Sequence, residues 1–328
     1  MPDTTPSFDN KSIAQIVMDL YGWEGEVSPL VSYEDQNARI RTSRSSYVLK
    51  IANMRWPLAF LNMQTEVLER SRTVAPELSL PRVIPTLEGE TLTIMDGFAV
   101  RLLTYLDGNN LGDSPRCPAL YRDIGNFMAR FTQMMDGYSH PAALRQDDSW
   151  NMDNVMACKV HLPDVEGEDV RARIERFFGS YETKVLPKVP FLRKAVIHND
   201  ANEQNLLVDA GGLAKVTGLI DFGDMAFSSL VNELAIVLAY ALLGEDDIET
   251  SAREIVRGYA QGCPLDDVEL ELLPTLTAMR LVQSVTLTSN RAKQFPDNTY
   301  IVKSQIPARA LLKRLDEGTE LAAAIMSS

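Results

Sequence analysis

Cysteine is scarce in this chain. The three present, Cys117, Cys158 and Cys263, stand far apart, and no two form a Cys-x-x-Cys pair. A disulfide scaffold is therefore excluded, and the thiols read as ordinary buried or surface residues. Basic charge is also short: 32 Lys and Arg against 45 Asp and Glu leave a formal charge of −13. No run of Lys or Arg rises above that background, so a charge-driven nucleic-acid reader is excluded. The longest apolar stretch, around Leu234–Leu243, falls short of the roughly 20 residues that a membrane-spanning helix needs. The first residues, Met1-Pro-Asp-Thr-Thr-Pro-Ser, have neither a basic start nor an apolar run, so no membrane or export signal is expected and a cytoplasmic protein is. Internal repeats and low-complexity tracts are missing as well.

What remains is a folded chain of 328 residues, 45% hydrophobic and 23% charged, near the composition of ordinary soluble domains. That length suits two domains or one two-lobed fold, at roughly 100–200 residues per domain. An acidic protein can still take a phosphate ligand if metal ions or a few placed cations supply positive charge.

Periodicity divides the chain unequally. A first helix is expected over Asp9–Tyr21, with Ile13, Ile16, Val17 and Leu20 on one face and Gly22 as its C-terminal cap. Strand-like segments follow at Glu26–Ser32, Ala38–Thr42 and Tyr47–Ala52, then a helix opened by Pro57 and ending near Val74. Leu80–Pro85, Thr91–Ile94 and Val100–Leu106 complete a small sheet. Asp107-Gly-Asn-Asn marks a turn and the candidate boundary between an N-terminal lobe, residues 1–106, and a mainly helical lobe, residues 107–328. In the second lobe, Ser114 and Pro115 are expected to start a helix running to about Met135. Others are expected at Val170–Leu186, 230–243, 266–294 and 305–325, with a short strand at Ala195–Ile197.

The most informative segment begins at His198-Asn-Asp-Ala-Asn-Glu-Gln-Asn205 and ends at Leu219-Ile-Asp221-Phe-Gly-Asp224. Between them, Leu206–Val208 and Lys215–Ile220 read as a β-hairpin joined by Asp209-Ala-Gly-Gly. An antiparallel hairpin brings its open ends together. Asn205 enters it, Asp221 leaves it, and Asp200 lies a few residues upstream. Two carboxylates and an amide oxygen converging in this way make a hard-oxygen site suited to Mg²⁺.

The pattern His198-x-Asp200-(x)4-Asn205, a hairpin, then Ile220-Asp221-Phe222-Gly223 resembles the aminoglycoside phosphotransferase/choline kinase family, relatives of the protein kinases. Within it, Val48-Leu-Lys-Ile-Ala-Asn53, His198-Asn-Asp-Ala-Asn, Val216–Met225 and Phe295-Pro-Asp-Asn-Thr-Tyr300 look like the subgroup that contains hydroxylysine kinase and the phosphotransferase domains fused to class III aminotransferase-like phospholyases. The resemblance spans roughly residues 10–320. It implies an α+β, protein-kinase-like, two-lobed fold: a small N-terminal antiparallel sheet with one inserted helix, and a larger, mainly helical C-terminal lobe. It also implies ATP or GTP as co-substrate and Mg²⁺ as cofactor. Asp200 would accept or orient the proton of the acceptor hydroxyl, and Asn205 and Asp221 would hold the metal. Lys50, on the third strand, would contact the nucleotide phosphates. Glu233 would orient the catalytic loop, and His198 would support it.

Two departures stand out. The helix after Lys50 should carry a Glu to pair with it; the alignment places Gln64 there, with Glu66 two residues on. The phosphate-covering loop, Ser32–Arg39, has no glycine, so Ser32 and Asn37 are the candidates to approach the phosphates. Leu103-Thr-Tyr105-Leu106 would offer backbone groups to the nucleotide base. For the acceptor, Trp150 is a candidate to stack on an ammonium group, and Arg280 to hold a carboxylate with its two-pronged guanidinium, a structural ion pair being the alternative; Asp224 is a candidate to face an amine, to reinforce the metal site or to cap the next segment. Asn298 and Tyr300 are further candidates. The expected acceptor is an amino alcohol or hydroxy amino acid, hydroxylysine being favoured over homoserine, choline, ethanolamine or an aminoglycoside, and a PLP-dependent phospholyase is the expected functional partner. The missing Glu leaves a second reading, a non-catalytic nucleotide-binding module. A protein kinase ranks lower, because no Ala-Pro-Glu segment follows Asp224.

Overall fold

The computed structural model describes residues 4–32, 35–145, 149–296, 304–318 and 320–327. They form two compact units. One runs to Asp107 and also takes in Gly218–Ile220; the other comprises Gly108–Thr217 and the chain from Asp221 onward.

The first unit opens with helix α1, Asn10–Tyr21. The Asp9 carboxylate accepts from Ser12 N–H at its start, and Gly22, at φ 69°, ends it in the left-handed conformation. Next come β1 (Glu26–Leu30), β2 (Gln36–Arg41), β3 (Ser46–Ala52), helix α2 (Leu58–Val74), β4 (Val83–Ile84), β5 (Thr93–Met95) and β6 (Phe98–Thr104). The strands make one antiparallel sheet in the order β1-β2-β3-β6-β4, with β5 also paired to β6. Only Val83–Ile84 of the expected Leu80–Pro85 strand pairs.

Side chains alternate across a sheet, and here the alternation sorts apolar from polar. Ala38, Ile40, Leu49, Ile51, Val100 and Leu102 pack with Ile13, Ile16, Val17 and Tyr21 of α1. The opposite face carries Asn37, Lys50 and Arg101, which stand directly opposite one another in the ladder. On that face Ala52 and Ala99 meet Leu61 of α2. β6 is thus buried on both sides, which suits its near-continuous apolar sequence.

The second unit contains β7 (Asn109–Asn110), α3 (Pro118–Met135), α4 (Glu168–Ser180), β8 (Lys194–Ile197), β9 (Leu206–Val208), β10 (Val216–Leu219), β11 (Ala226–Ser229), α5 (Val231–Ala241), α6 (Ile248–Gly262), α7 (Asp267–Gln294), α8 (Gln305–Glu317) and α9 (Glu320–Met326). Several expectations need correction. The expected turn Asp107–Asn110 is only half a turn: Asn109 and Asn110 pair with Val208 and Leu207 of β9. Gly108 permits this at φ 153°, where a Cβ would meet the Thr217 hydroxyl at 2.6 Å. Helix α3 starts at Pro118, three residues later than expected, while the Ser114 hydroxyl closes a tight turn on the Asn110 carbonyl. The 305–325 helix ends first at Gly318 and resumes as α9.

Helix α6 was not foreseen at all. It crosses α3 so closely that a Cβ on Gly125 would sit 2.0 Å from the Ile255 carbonyl oxygen, and one on Gly258 2.1 Å from that of Arg122. Two glycines, one on each helix, let the backbones touch. Helix α5 is buried along its whole length, which explains its all-round apolar sequence.

Candidate active site

Strand β8 delivers the chain into the loop His198–Asn205, and β9 leads it away. The loop is held from behind. Glu233, fully buried near the start of α5, accepts the His198 N–H at 2.6 Å. Burial pushes the Glu233 carboxyl up to about 7, opposed by the N–H groups of His198 and Asn199 and by the Arg280 charge. His198 is itself buried, its ring 4.8 Å from Phe222 and 6.0 Å from Phe131, both edge-on. Its Nδ1 accepts from Asp200 N–H at 3.3 Å, which directs the backbone of the next turn.

Asn199 takes φ 65° and Asp221 takes φ 61°. They are two of three non-glycine residues with positive φ among those described. Each such residue costs roughly 1–3 kcal/mol and persists only where its surroundings fix it. The surroundings do so here. Asn199 is fully buried and donates its amide to the carbonyls of Asp224 (3.0 Å) and Trp150 (3.4 Å). One side chain thus ties the Asp200 loop to the turn that carries Asp221 and Asp224.

The Asp200 carboxylate is surrounded by donors. Arg280 Nη2 donates to Oδ1 at 3.1 Å, Asn202 Nδ2 lies 3.0 Å from both oxygens, and Asn205 Nδ2 donates to Oδ2 at 2.8 Å. The Asp200 side chain keeps 19% exposure whereas that of Arg280 keeps 1%, so solvent reaches the carboxylate but not the guanidinium. Burial and the charges of Asp224 and Asp221 push Asp200 well above the usual carboxylate range, and Arg280 and Asn202 pull it back. Asn202 also accepts from the N–H groups of Gln204 and Asn205, forming the turn that presents Asn205.

Arg280 is engaged in an ion pair with Asp200. It comes from the buried face of α7 and is pinned by the Trp150 carbonyl at 3.1 Å and Gln283 Oε1 at 3.2 Å. Its guanidinium lies 5.1 Å from the Trp150 ring centre and 5.5 Å from that of Tyr240. The alternative structural ion pair is what forms, and its anion is Asp200. The cation on Trp150 is the protein's own Arg280. The Trp150 segment is fixed too: Gln283 Nε2 donates to the Ser149 carbonyl at 2.8 Å, and Asn151 exchanges hydrogen bonds with Ser228 and the Phe227 carbonyl.

Nothing in the local pattern flagged Asn199, Asn202 or Gln283. The two asparagines were part of the quoted motif but resemble turn residues, and Gln283 lies on a helix far along the chain. Asn298 and Tyr300 lie outside the described residues.

The donor set fits a small divalent cation. The Asn205 amide nitrogen is spent on the Asp200 carbonyl and carboxylate, which leaves its Oδ1 as the outward atom. Asp221 and Asp224 lie near enough for their charges to act on Asp200. Among the described residues, no cluster of three or more His, Cys, Asp or Glu forms a self-sufficient metal cage. Protein sites bind Mg²⁺ through one or two carboxylates and complete its shell with water and phosphate oxygens.

In the first unit, Asn37, Lys50 and Arg101 form one cross-strand row, and α2 sets Gln64 against it. Arg101 Nη2 donates to Gln64 Oε1 at 2.9 Å and its Nη1 to the Leu61 carbonyl at 3.1 Å. Asn37 Oδ1 is buried and accepts no hydrogen bond. Ser32, in contrast, is exposed and donates its hydroxyl to the Asp35 carbonyl. The strand expected to serve the base is largely committed. Leu103 pairs with Val48 on one side and stands opposite Val83 on the other, and Tyr105 N–H donates to the Ser46 carbonyl at 3.0 Å. The Tyr105 ring is capped by the Arg39 guanidinium at 4.0 Å.

The chain belongs to the phosphotransferase enzyme family (APH), which it matches over residues 26–271. It is a small-molecule phosphotransferase that acts on an alcohol group. It is similar to hydroxylysine kinase of Danio rerio, 28% identical with 97% of this chain and 94% of the relative covered. It is also similar to homoserine kinase of Rhizobium rhizogenes, at 27% identity over 77% and 78%. A microcompartment-associated aminopropanol kinase has the same two-lobed fold, with TM-score 0.74 at 17% identity over 95% of this chain and 98% of that one. So does an amicoumacin kinase bound to AMP-PNP, at TM-score 0.70 and 15% identity over 94% of each chain. No helix among the described residues is long and apolar enough to cross a membrane.

Proposed function

We propose that this protein is a Mg²⁺-dependent kinase that moves the γ-phosphoryl group of ATP or GTP to the hydroxyl of a hydroxy amino acid or amino alcohol, with hydroxylysine the favoured acceptor. The observation that carries the chemistry is the Asp200 carboxylate, reachable by solvent yet held by Arg280, Asn202 and Asn205. The favoured acceptor rests on the hydroxylysine kinases, which match the chain along nearly all their length at 25–29% identity.

Each residue then has a stated task. Asp200 accepts the acceptor's hydroxyl proton as the oxygen attacks, and Arg280 stabilises its ionised form and fixes its direction. Asn205 and Asp221 would hold Mg²⁺, which when bound neutralises charge on the transferring phosphates. Lys50 and its neighbours attract the nucleotide phosphates. Asp224, whose charge raises Asp200, would attract a cationic amine. Glu233, His198 and Asn199 keep the loop rigid, so that little reorganisation is needed during transfer. The intact Asp200, Asn205 and Asp221 speak against a non-catalytic module. A PLP-dependent phospholyase is the partner that would eliminate phosphate from the product.

The homoserine kinase relatives favour a second acceptor, a shorter hydroxy amino acid. A transfer screen separates the two: hydroxylysine, homoserine, ethanolamine, choline, serine and an aminoglycoside, each with ATP and GTP, with and without Mg²⁺. Hydroxylysine is expected to give the highest kcat/KM, with no turnover after chelation. Preference for homoserine overturns the acceptor assignment. Metal-independent turnover overturns the Mg²⁺ assignment.

A further inference from the structure

The chain that enters β2 belongs to the segment Ser32–Arg39, which has no glycine. Side chains hold it in place instead. Asp35, just before β2, sends its carboxylate to the turn between β3 and α2. Its Oδ1 accepts from the Asn53 N–H at 3.0 Å and from the Trp56 indole N–H at 3.1 Å. Its own carbonyl accepts from the Ser32 hydroxyl. The turn that receives Asp35 is fixed as well. The Asn53 side-chain oxygen accepts from the Arg55 N–H at 3.0 Å, and the Asn53 carbonyl from the Trp56 N–H at 3.1 Å. The next residue on the other side, Gln36, exchanges two hydrogen bonds with the Phe8 backbone, at 2.8 and 2.7 Å. The Phe8 ring in turn stands edge-on to Phe98 of β6, 5.7 Å between centres. Two residues beyond Asp35, Asn37 stands opposite Lys50 in the ladder. Asp35 thus ties together both ends of that pair of strands, the residue that leads into β2 and the turn that leaves β3.

We propose that Asp35 is a positioning residue for the nucleotide: its carboxylate fixes the entry to β2 against the β3–α2 turn, and so holds Asn37 and Lys50 in the arrangement that receives the phosphates. This deepens the reading above and rests on it. A segment that closes on a ligand loses conformational freedom, and ordering it beforehand removes that loss from the binding step. Asp35 does this through two donors that lie 18 and 21 residues away in sequence. The sign of its charge points the same way. A carboxylate two residues from Asn37 repels a polyphosphate through the field, so whatever Asp35 adds to nucleotide binding comes from the hydrogen bonds that it accepts and not from its charge. An amide oxygen, which also has two lone pairs, can accept from the same two donors; a methyl group accepts from neither.

The test is nucleotide affinity, measured by titration calorimetry with Mg–AMP-PNP on the full chain, together with steady-state kinetics. Wild-type protein must bind the analogue. No binding would overturn the kinase reading and this inference with it, whereas the failures below leave that reading standing. Asp35→Ala is expected to weaken binding about tenfold and to raise nucleotide KM in parallel, with kcat and acceptor KM changed less than about twofold. A merely structural contact would not produce that split. Asp35→Asn, which keeps the acceptor and removes the charge, is expected to stay within about threefold of wild type. The inference is wrong if Asp35→Ala binds within twofold of wild type, or more tightly, since tighter binding would mean that the carboxylate only repels the phosphates. It also fails if Asp35→Asn loses as much as Asp35→Ala, or if kcat falls with nucleotide KM unchanged. If Asp35→Ala does not fold, Asp35→Ser, whose shorter side chain cannot reach both donors, is compared with Asp35→Asn by the same criteria.

Discussion

The row Asn37–Lys50–Arg101 and the loop His198–Asn205 handle buried charge in opposite ways. In the first unit Lys50 and Arg101 stand opposite one another in the sheet, and Gln64 of the facing helix accepts from Arg101. In the second, burial and the charges of Asp224 and Asp221 raise the proton affinity of Asp200, and a buried arginine holds it. Each uses an arginine, for different ends: Arg101 adds charge and is itself held, while Arg280 offsets charge and does the holding. This resolves the tension between a net charge of −13 and a phosphate ligand, because the local sign is set residue by residue.

The contrast is most vulnerable at Asp200. Asp200→Asn is expected to lower kcat by about 10²–10⁴, the usual contribution of a general base, while Mg–nucleotide affinity stays within a few fold. Retained turnover would remove Asp200 from the chemistry. Next is Arg280→Met. Misplacing the base is expected to cost about 10² in kcat and to move the acid limb of the pH–rate profile upward, since the cation that favours ionised Asp200 is gone. A rise in acceptor KM with kcat unchanged would instead make Arg280 the receptor for a substrate carboxylate.

A smaller effect is expected at Glu233. Its carboxyl is raised from 4.5 to about 7 by burial, so the stability it contributes is full below 4.5 and is lost as pH rises through 7. Wild-type protein should therefore lose about 2 kcal/mol relative to Glu233→Gln between pH 5.5 and 7.5, one pKa unit being about 1.36 kcal/mol. Denaturant titrations at several pH values check this, and a constant gap refutes it.

Much of this was legible because it is local. The spacing from His198 through Asp200 and Asn205 to Asp221 encodes a turn, a hairpin and a return, and a hairpin has few ways to close. The sheet of the first unit was readable for the same reason, since its strands alternate and its turns are short. Helix α6 was missed: its contacts depend on Gly125 and Gly258, which as isolated residues read only as weak helix formers. Gln64 was recognised as a departure, but its partner was hidden because Arg101 is 37 residues away and adjacent only through strand register.

The sequence by itself therefore determined the class of chemistry, through a short motif whose geometry follows from chain connectivity. Tertiary structure decided which cation serves which anion. Arg280 lies 80 residues from Asp200, and whether its fork meets a substrate or a side chain depends on how α7 packs against the loop. Arg101 reaches Lys50 only because β6 pairs with β3 in one register out of several possible. Charge pairing is a property of distance in space, and only the packed chain fixes that distance.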